Sequence, residues 1–113
     1  MRRVSLALIA ASVCAAQTPL ASLSGSVYDE LGAPIIAAKL SLRSEKSPLY
    51  LTKTTEQGTF QFPRIADAGS YTLSIDQAGF CKMEISAIAV SAGERKTLPR
   101  VTLKAPAAGQ NCP

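Results

Sequence analysis

Three cysteines, three tyrosines, eight carboxylates and no histidine set the limits of what this 113-residue chain can do chemically. Without histidine the commonest general base is missing, and so is the usual partner of a nucleophilic serine or cysteine. A zinc site would need four ligands, and Cys81 and Cys112 alone cannot supply them. Four of the carboxylates, Asp29 with Glu30, Asp67 and Asp76, fall in separate turn-forming stretches, and no run offers the closely spaced oxygens that calcium requires. No catalytic residue, no metal site and no cofactor is therefore expected. Two chemistries remain. Cys81 and Cys112 form an even pair suited to a disulfide once Cys14 is removed, although two free or intermolecular thiols are the alternative. Tyr28 and Tyr50 are the candidate ligand contacts, as rings on which a sugar could stack. The lack of a flanking polar cluster favours the alternative, that they are ordinary half-buried strand tyrosines.

The compartment follows from the first residues. Arg2 and Arg3 precede an apolar run from Val4 to Ala16, broken by Ser5 and Ser12, which ends in Cys14, Ala15 and Ala16 before Gln17. This is the layout of a secretory signal peptide over 1–16, with Ala21 as an alternative cleavage point. The run is too short to span a bilayer. A buried core helix, a lipid anchor at Cys14 and an uncleaved anchor are the competing readings. Loss of Arg2 and Arg3 lowers the net charge from +4 to about +2. The other basic residues are scattered with no aromatics between them, so nucleic acid is not an expected partner. Neither is stable membrane insertion after cleavage. The chain is expected to be secreted, periplasmic or at a cell surface, where a Cys81–Cys112 bond would close a loop of about 32 residues and contribute roughly 3–4 kcal/mol.

These side chains need elements to position them, and the pattern is all-β. Leu23 to Tyr28 alternates in polarity, Asp29 to Pro34 supplies turn formers, and Ala38, Leu40 and Leu42 would face a core while Lys39, Ser41 and Arg43 face water. Leu49 to Thr55 reads as a third strand, joined through Glu56, Gln57 and Gly58 to Thr59–Phe62 as a hairpin. Tyr71, Leu73 and Ile75 form the clearest inward stripe and are placed in the centre of a sheet. Cys81 to Val90 is a further strand whose phase shifts within Ile85–Val90, indicating a bulge or a break. Leu98 to Leu103 closes the set, with Pro99 favouring an edge. Seven short strands suit a single β-sandwich with a core of Phe60, Phe62, Tyr71, Leu73, Ile75 and Phe80.

Residues 22–104 carry a recognisable arrangement: Gly25, Val27, Asp29, Gly32, Pro34 and Ile35, continued by Ala38 and Leu40; then Thr54, Gly58, Phe60 and Phe62; then Gly69, Tyr71, Leu73, Ile75, Gly79 and Phe80; then Ala92 and Gly93. On these residues the chain resembles the carboxypeptidase regulatory-like domain family. The resemblance implies a seven-stranded, Greek-key-like sandwich, transthyretin-like or immunoglobulin-like, over 22–104, with 105–113 as a C-terminal tail. Two positions depart from the family pattern. Thr55 stands where an acidic residue is usual, and the turn Ile65–Gly69 is one residue longer. The family name refers to a domain beside a peptidase and implies no proteolysis. Transthyretin-like ureide hydrolases depend on histidine, which this chain lacks. The lysine–asparagine isopeptide bond of related adhesin sandwiches also has no counterpart, because the first strand contains no lysine and the only asparagine is Asn111.

The function expected from the sequence is a secreted non-catalytic β-sandwich serving as a structural or protein-interaction module. A carbohydrate or small-ligand binding module is the alternative. The partner would be an extracellular protein or a glycan.

Overall fold

A computed structural model describes residues 19–107, 109 and 111–112. The expected signal peptide, with Cys14, lies outside the described residues. Eight strands follow in chain order: β1 Ala21–Tyr28, β2 Lys39–Arg43, β3 Tyr50–Lys53, β4 Thr59–Ile65, β5 Gly69–Asp76, β6 Met83–Val90, β7 Arg95–Thr97 and β8 Val101–Thr102. They build two sheets. One runs β4-β1-β7 with β8 also pairing β1; the other runs β3-β2-β5-β6. The all-β sandwich is thus present, with eight strands where the sequence pattern indicated seven.

Period-two alternation explains the layering. On β1, Ala21, Leu23 and Val27 are buried, and Ser22, Ser24, Ser26 and Tyr28 between them stay partly exposed. On β2, Leu40 and Leu42 point inward, as do Tyr71, Leu73 and Ile75 on the central strand β5, while Phe60 and Phe62 come from β4. These residues, with Ile65, Ile88, Val90, Val101 and Leu103, form one continuous core between the sheets. Phe80 packs on its margin and is only partly buried. The phase shift in the sixth strand is a bulge. Tyr71 pairs with Ile88 and Leu73 with Ile85, so Ser86 and Ala87 together oppose Thr72, and Ala87 takes φ 60°.

Two expectations about connectivity fail. β3 and β4 are not a hairpin: β3 pairs with β2 and β4 pairs with β1, in different sheets. The turn between them is tight, with Gly58 donating to Thr55 O (2.9 Å) and Thr55 to Thr59 O (2.8 Å), but it carries the chain across the sandwich. Inward-facing Tyr50 and Thr52 must share a core with Phe60 and Phe62, and a crossing allows this where a flat hairpin would not. Of the closing strand expected over Leu98–Leu103 only β8 forms, and a further short strand, β7, precedes it, the two separated by Pro99, which cannot donate to a ladder. Both run parallel to β1, with Ser24 opposite Thr97 and Val27 opposite Val101.

Candidate functional site

The residues that carry the sequence resemblance are occupied in holding backbone. Asp29 follows β1, and its Oδ1 accepts from the amides of Leu31 and Ala33, each at 2.9 Å. The same turn is closed by Asp29 N donating to Ala33 O (2.9 Å) and Gly32 N donating to Asp29 O (3.1 Å). The carboxylate is thereby committed to backbone amides, the usual role of aspartate in turns. Pro34 and Gly58 meet behind it. Gly58 has φ 77°, and a Cβ there would lie 2.8 Å from both Pro34 Cβ and Val27 O, so only glycine fits. Gly25 is constrained differently: a Cβ would stand 2.7 Å from the Phe60 ring, which lies across it. The Tyr71 hydroxyl donates to the Asp67 carbonyl and pins the turn between β4 and β5.

Thr54 is the buried polar side chain of this region. It is 5% exposed, donates to Ile35 O at 2.6 Å and accepts from Ala38 N at 2.8 Å. It thereby satisfies two backbone groups of the segment leading into β2, where Ala37 adopts φ 61°. A second buried polar group, Ser74, sits on the outer face of the β3-β2-β5-β6 sheet. It accepts from Arg43 Nη1 (3.0 Å) and donates to Glu84 Oε2 (3.1 Å), bridging an exposed Arg43–Glu84 ion pair. Sequence reading missed Thr54 and Ser74 as polar anchors. Only a threonine phased inward between apolar positions could have signalled the first.

The two candidate ligand tyrosines are not brought together. Tyr28 ends β1 in one sheet and Tyr50 opens β3 in the other. The Arg100 guanidinium lies 4.0 Å from the centroid of the Tyr28 ring, so a stacking face is already taken by a cation–π contact. Tyr50 packs against the core, 6.5 Å from the Tyr71 ring, and its hydroxyl accepts from Ala66 N at 3.0 Å. The cysteines do meet: Cys81 and Cys112 are bonded, with Cα atoms 5.3 Å apart. Cys81 N also donates to Lys104 O at 2.7 Å, so the chain leaving β8 is held against the β5–β6 turn twice.

Asp29 and Asp67 lie in separate turns, whereas Asp76, expected in a turn, is the last residue of β5 opposite Lys39; no group of three or more metal-ligating side chains comes together among the described residues. No helix there is long and apolar enough to cross a membrane. The surface formed by the described residues carries shallow depressions. The most hydroxyl-rich of these has a volume of about 600 Å³; it lies across the β4-β1-β7 sheet, lined by Ser24, Ser26, Thr59, Gln61 and Thr97 among others, and reaches Thr52 and Lys53 of β3.

A two-sheet sandwich with backbone-committed turn residues defines the class: a small β module whose distinctive side chains build the scaffold. Residues 22–104 match the carboxypeptidase regulatory-like domain, and the chain belongs to that family. No curated protein matches it. Among solved structures it is similar to a chain of a type II cohesin-X-dockerin complex from Acetivibrio cellulolyticus, with TM-score 0.60 and 21% identity over 80% of this chain and 64% of that one. A candidate carbohydrate-binding protein from Bacteroides uniformis aligns with TM-score 0.58 and 16% identity over 75% of this chain and 41% of that one. The 5-hydroxyisourate hydrolase of Klebsiella pneumoniae aligns with TM-score 0.54 and 21% identity over 77% of this chain and 89% of that one. This chain therefore spans less than two thirds of the first two. At these identities the likeness is one of fold, and the transthyretin-like sandwich is common to enzymes and binding modules.

Proposed function

We propose that this protein is an exported, non-catalytic β-sandwich that acts as a structural or protein-interaction module, with 1–16 as its signal peptide and 105–113 as a tail tied back by the Cys81–Cys112 bond. One observation carries the reading: Asp29, Gly58, Thr54 and Tyr71, the polar and glycine residues of the family pattern, all serve backbone geometry. A reaction would need polar groups left over to meet a substrate, and histidine is absent from the sequence. The bonded cysteine pair fits an oxidising compartment. The test is intact mass of the exported protein with and without reductant and alkylation. The expected species begins at Gln17 and gains two alkyl groups only after reduction. A retained or lipid-modified N-terminus with free thiols would overturn the export and staple reading.

A carbohydrate or small-ligand module is the second reading. It is favoured by the hydroxyl-lined depression on the β4-β1-β7 sheet and by the fold shared with the Bacteroides uniformis protein. Hydroxyl and amide side chains there, with Lys53 among the lining residues, could meet sugar hydroxyls. A glycan array with no binding would remove this reading and leave the first intact.

A further inference from the structure

We propose that β3 is a docking edge to which an extended, acidic, apolar-alternating segment of a partner protein adds as a further strand. The proposal rests on the interaction-module reading and names the surface. The β4 edge contains Pro63, which removes a donor in mid-strand. The β6 edge is broken by the bulge at Ala87. β7 and β8 are three and two residues long, with Pro99 between them. β3 pairs with β2 in unbroken register and, among the described residues, has no strand on its other side.

The phase of that ladder fixes what the edge offers. Thr54 N donates to Ala38 O at 3.0 Å, and opposed residues of an antiparallel pair alternate between bonded and non-bonded. The bonded pairs are therefore Thr52 with Leu40 and Tyr50 with Leu42. The amides and carbonyls of Leu51 and Lys53 turn to the outside, ready for a strand to be added.

The side chains specify the occupant. Leu51 is 71% exposed and Leu49, just before the strand, 56%. Beside Leu51, a shallow groove of about 290 Å³ runs along Lys39, Leu40, Thr52 and Lys53. Lys53 stands directly opposite Lys39, a like-charge cross-strand pair. Lys39 has Asp76 on its other side, across β5. Lys53 belongs to neither ion pair found among the described residues. A carboxylate on the incoming strand would relieve the lysine pair while an apolar residue covers Leu51. Edge lysines also deter pairing between identical chains, because a second copy would add like charge to an edge already carrying two lysines. The same side chains that oppose self-pairing thus select an acidic partner.

The test uses the oxidised full chain and three capped heptapeptides at millimolar concentration. One alternates valine with glutamate, one alternates valine with lysine, and one is the glutamate peptide with alternate backbone nitrogens methylated. Amide hydrogen exchange and chemical shifts are followed residue by residue. The glutamate peptide is expected to slow exchange at Leu51 and Lys53, the lysine peptide to bind at least about fivefold more weakly, and the methylated peptide not to bind. Lys53→Glu, an exposed change, should reverse the preference between the two charged peptides. Unprotected Leu51 and Lys53, or equal binding of both charges, overturns the proposal. So does protection of these amides by concentration alone, which would make a second copy the occupant. Protection on β6 or on the hydroxyl face would overturn the β3 edge and leave the module reading standing, whereas cleavage of a peptide would overturn the module reading itself.

Discussion

Replacing Thr54 by valine keeps the shape of the side chain and deletes its hydroxyl. In the structure that hydroxyl is the partner of both Ala38 N–H (2.8 Å) and Ile35 C=O (2.6 Å), and the site is almost fully buried. Each buried group left without a partner costs about 1–3 kcal/mol. The added methyl returns something under 1 kcal/mol through apolar burial. The net loss is therefore about 1–5 kcal/mol, a large share of the roughly 5–15 kcal/mol that holds a domain folded. With a urea slope near 1.5 kcal/mol/M, the unfolding midpoint should fall by roughly 1–3 M. Thr54→Ser is the control, because it retains both hydrogen bonds and loses only a methyl, for about 1 kcal/mol. Equilibrium urea unfolding followed by circular dichroism reads all three proteins on one scale. A Thr54→Val loss below about 0.5 kcal/mol, or one no larger than that of Thr54→Ser, would refute the idea that this hydroxyl organises the entry to β2.

Three further outcomes follow from the geometry. Gly58→Ala should destabilise by about 1–3 kcal/mol in thermal unfolding, since it joins a positive φ to a 2.8 Å clash with Pro34 and Val27 O; Gly32→Ala, with φ 87° but open space around it, should cost less. Cys81→Ser should lower stability by about 3–4 kcal/mol, the loop-entropy value for a separation of 31 residues, and should make the unfolding midpoint insensitive to reductant. Tyr71→Phe removes the hydroxyl that caps Asp67 O and should cost about 1 kcal/mol, with faster amide exchange confined to the β4–β5 turn.

Much of this architecture is legible in the chain, because one face of each strand is buried and polarity therefore alternates. Leu40 and Leu42, Phe60 and Phe62, and Tyr71, Leu73 and Ile75 announce their strands and their inward faces, and the broken phase of Ile85–Val90 announces the bulge. Pairing is less legible. Thr54–Gly58 has the composition of a hairpin turn, yet alternation says only which face is buried and is silent on which sheet receives the next strand. β7 and β8 are too short to leave a periodic signal, and their parallel pairing to β1 comes from the far end of the chain. Site prediction runs into a different limit. Tyr28 and Tyr50 look available as isolated residues, and what occupies them, Arg100 and the Ala66 amide, is brought there by tertiary contact. Leu51 and Lys53 read simply as alternating strand residues, and their interest depends on the edge position that the topology assigns them.

The bond between Cys81 and Cys112 also decides how the domain would carry a mechanical load. Tension applied between the two ends of the chain would travel to Cys81 and leave through the sulfurs to Cys112, so residues 82–111, with β6, β7 and β8, would lie outside the force path. At roughly 3.3–3.6 Å per extended residue, about 100 Å of contour length stays locked while the bond persists. Reduction would release that length and bring the ladder between β1 and its parallel partners β7 and β8 into the load path. Because those strands run in the same direction from opposite ends of the chain, their hydrogen bonds would be strained together in shear and not opened one at a time. The redox state of one pair of sulfurs would thus set both how far this module stretches and which of its contacts resist.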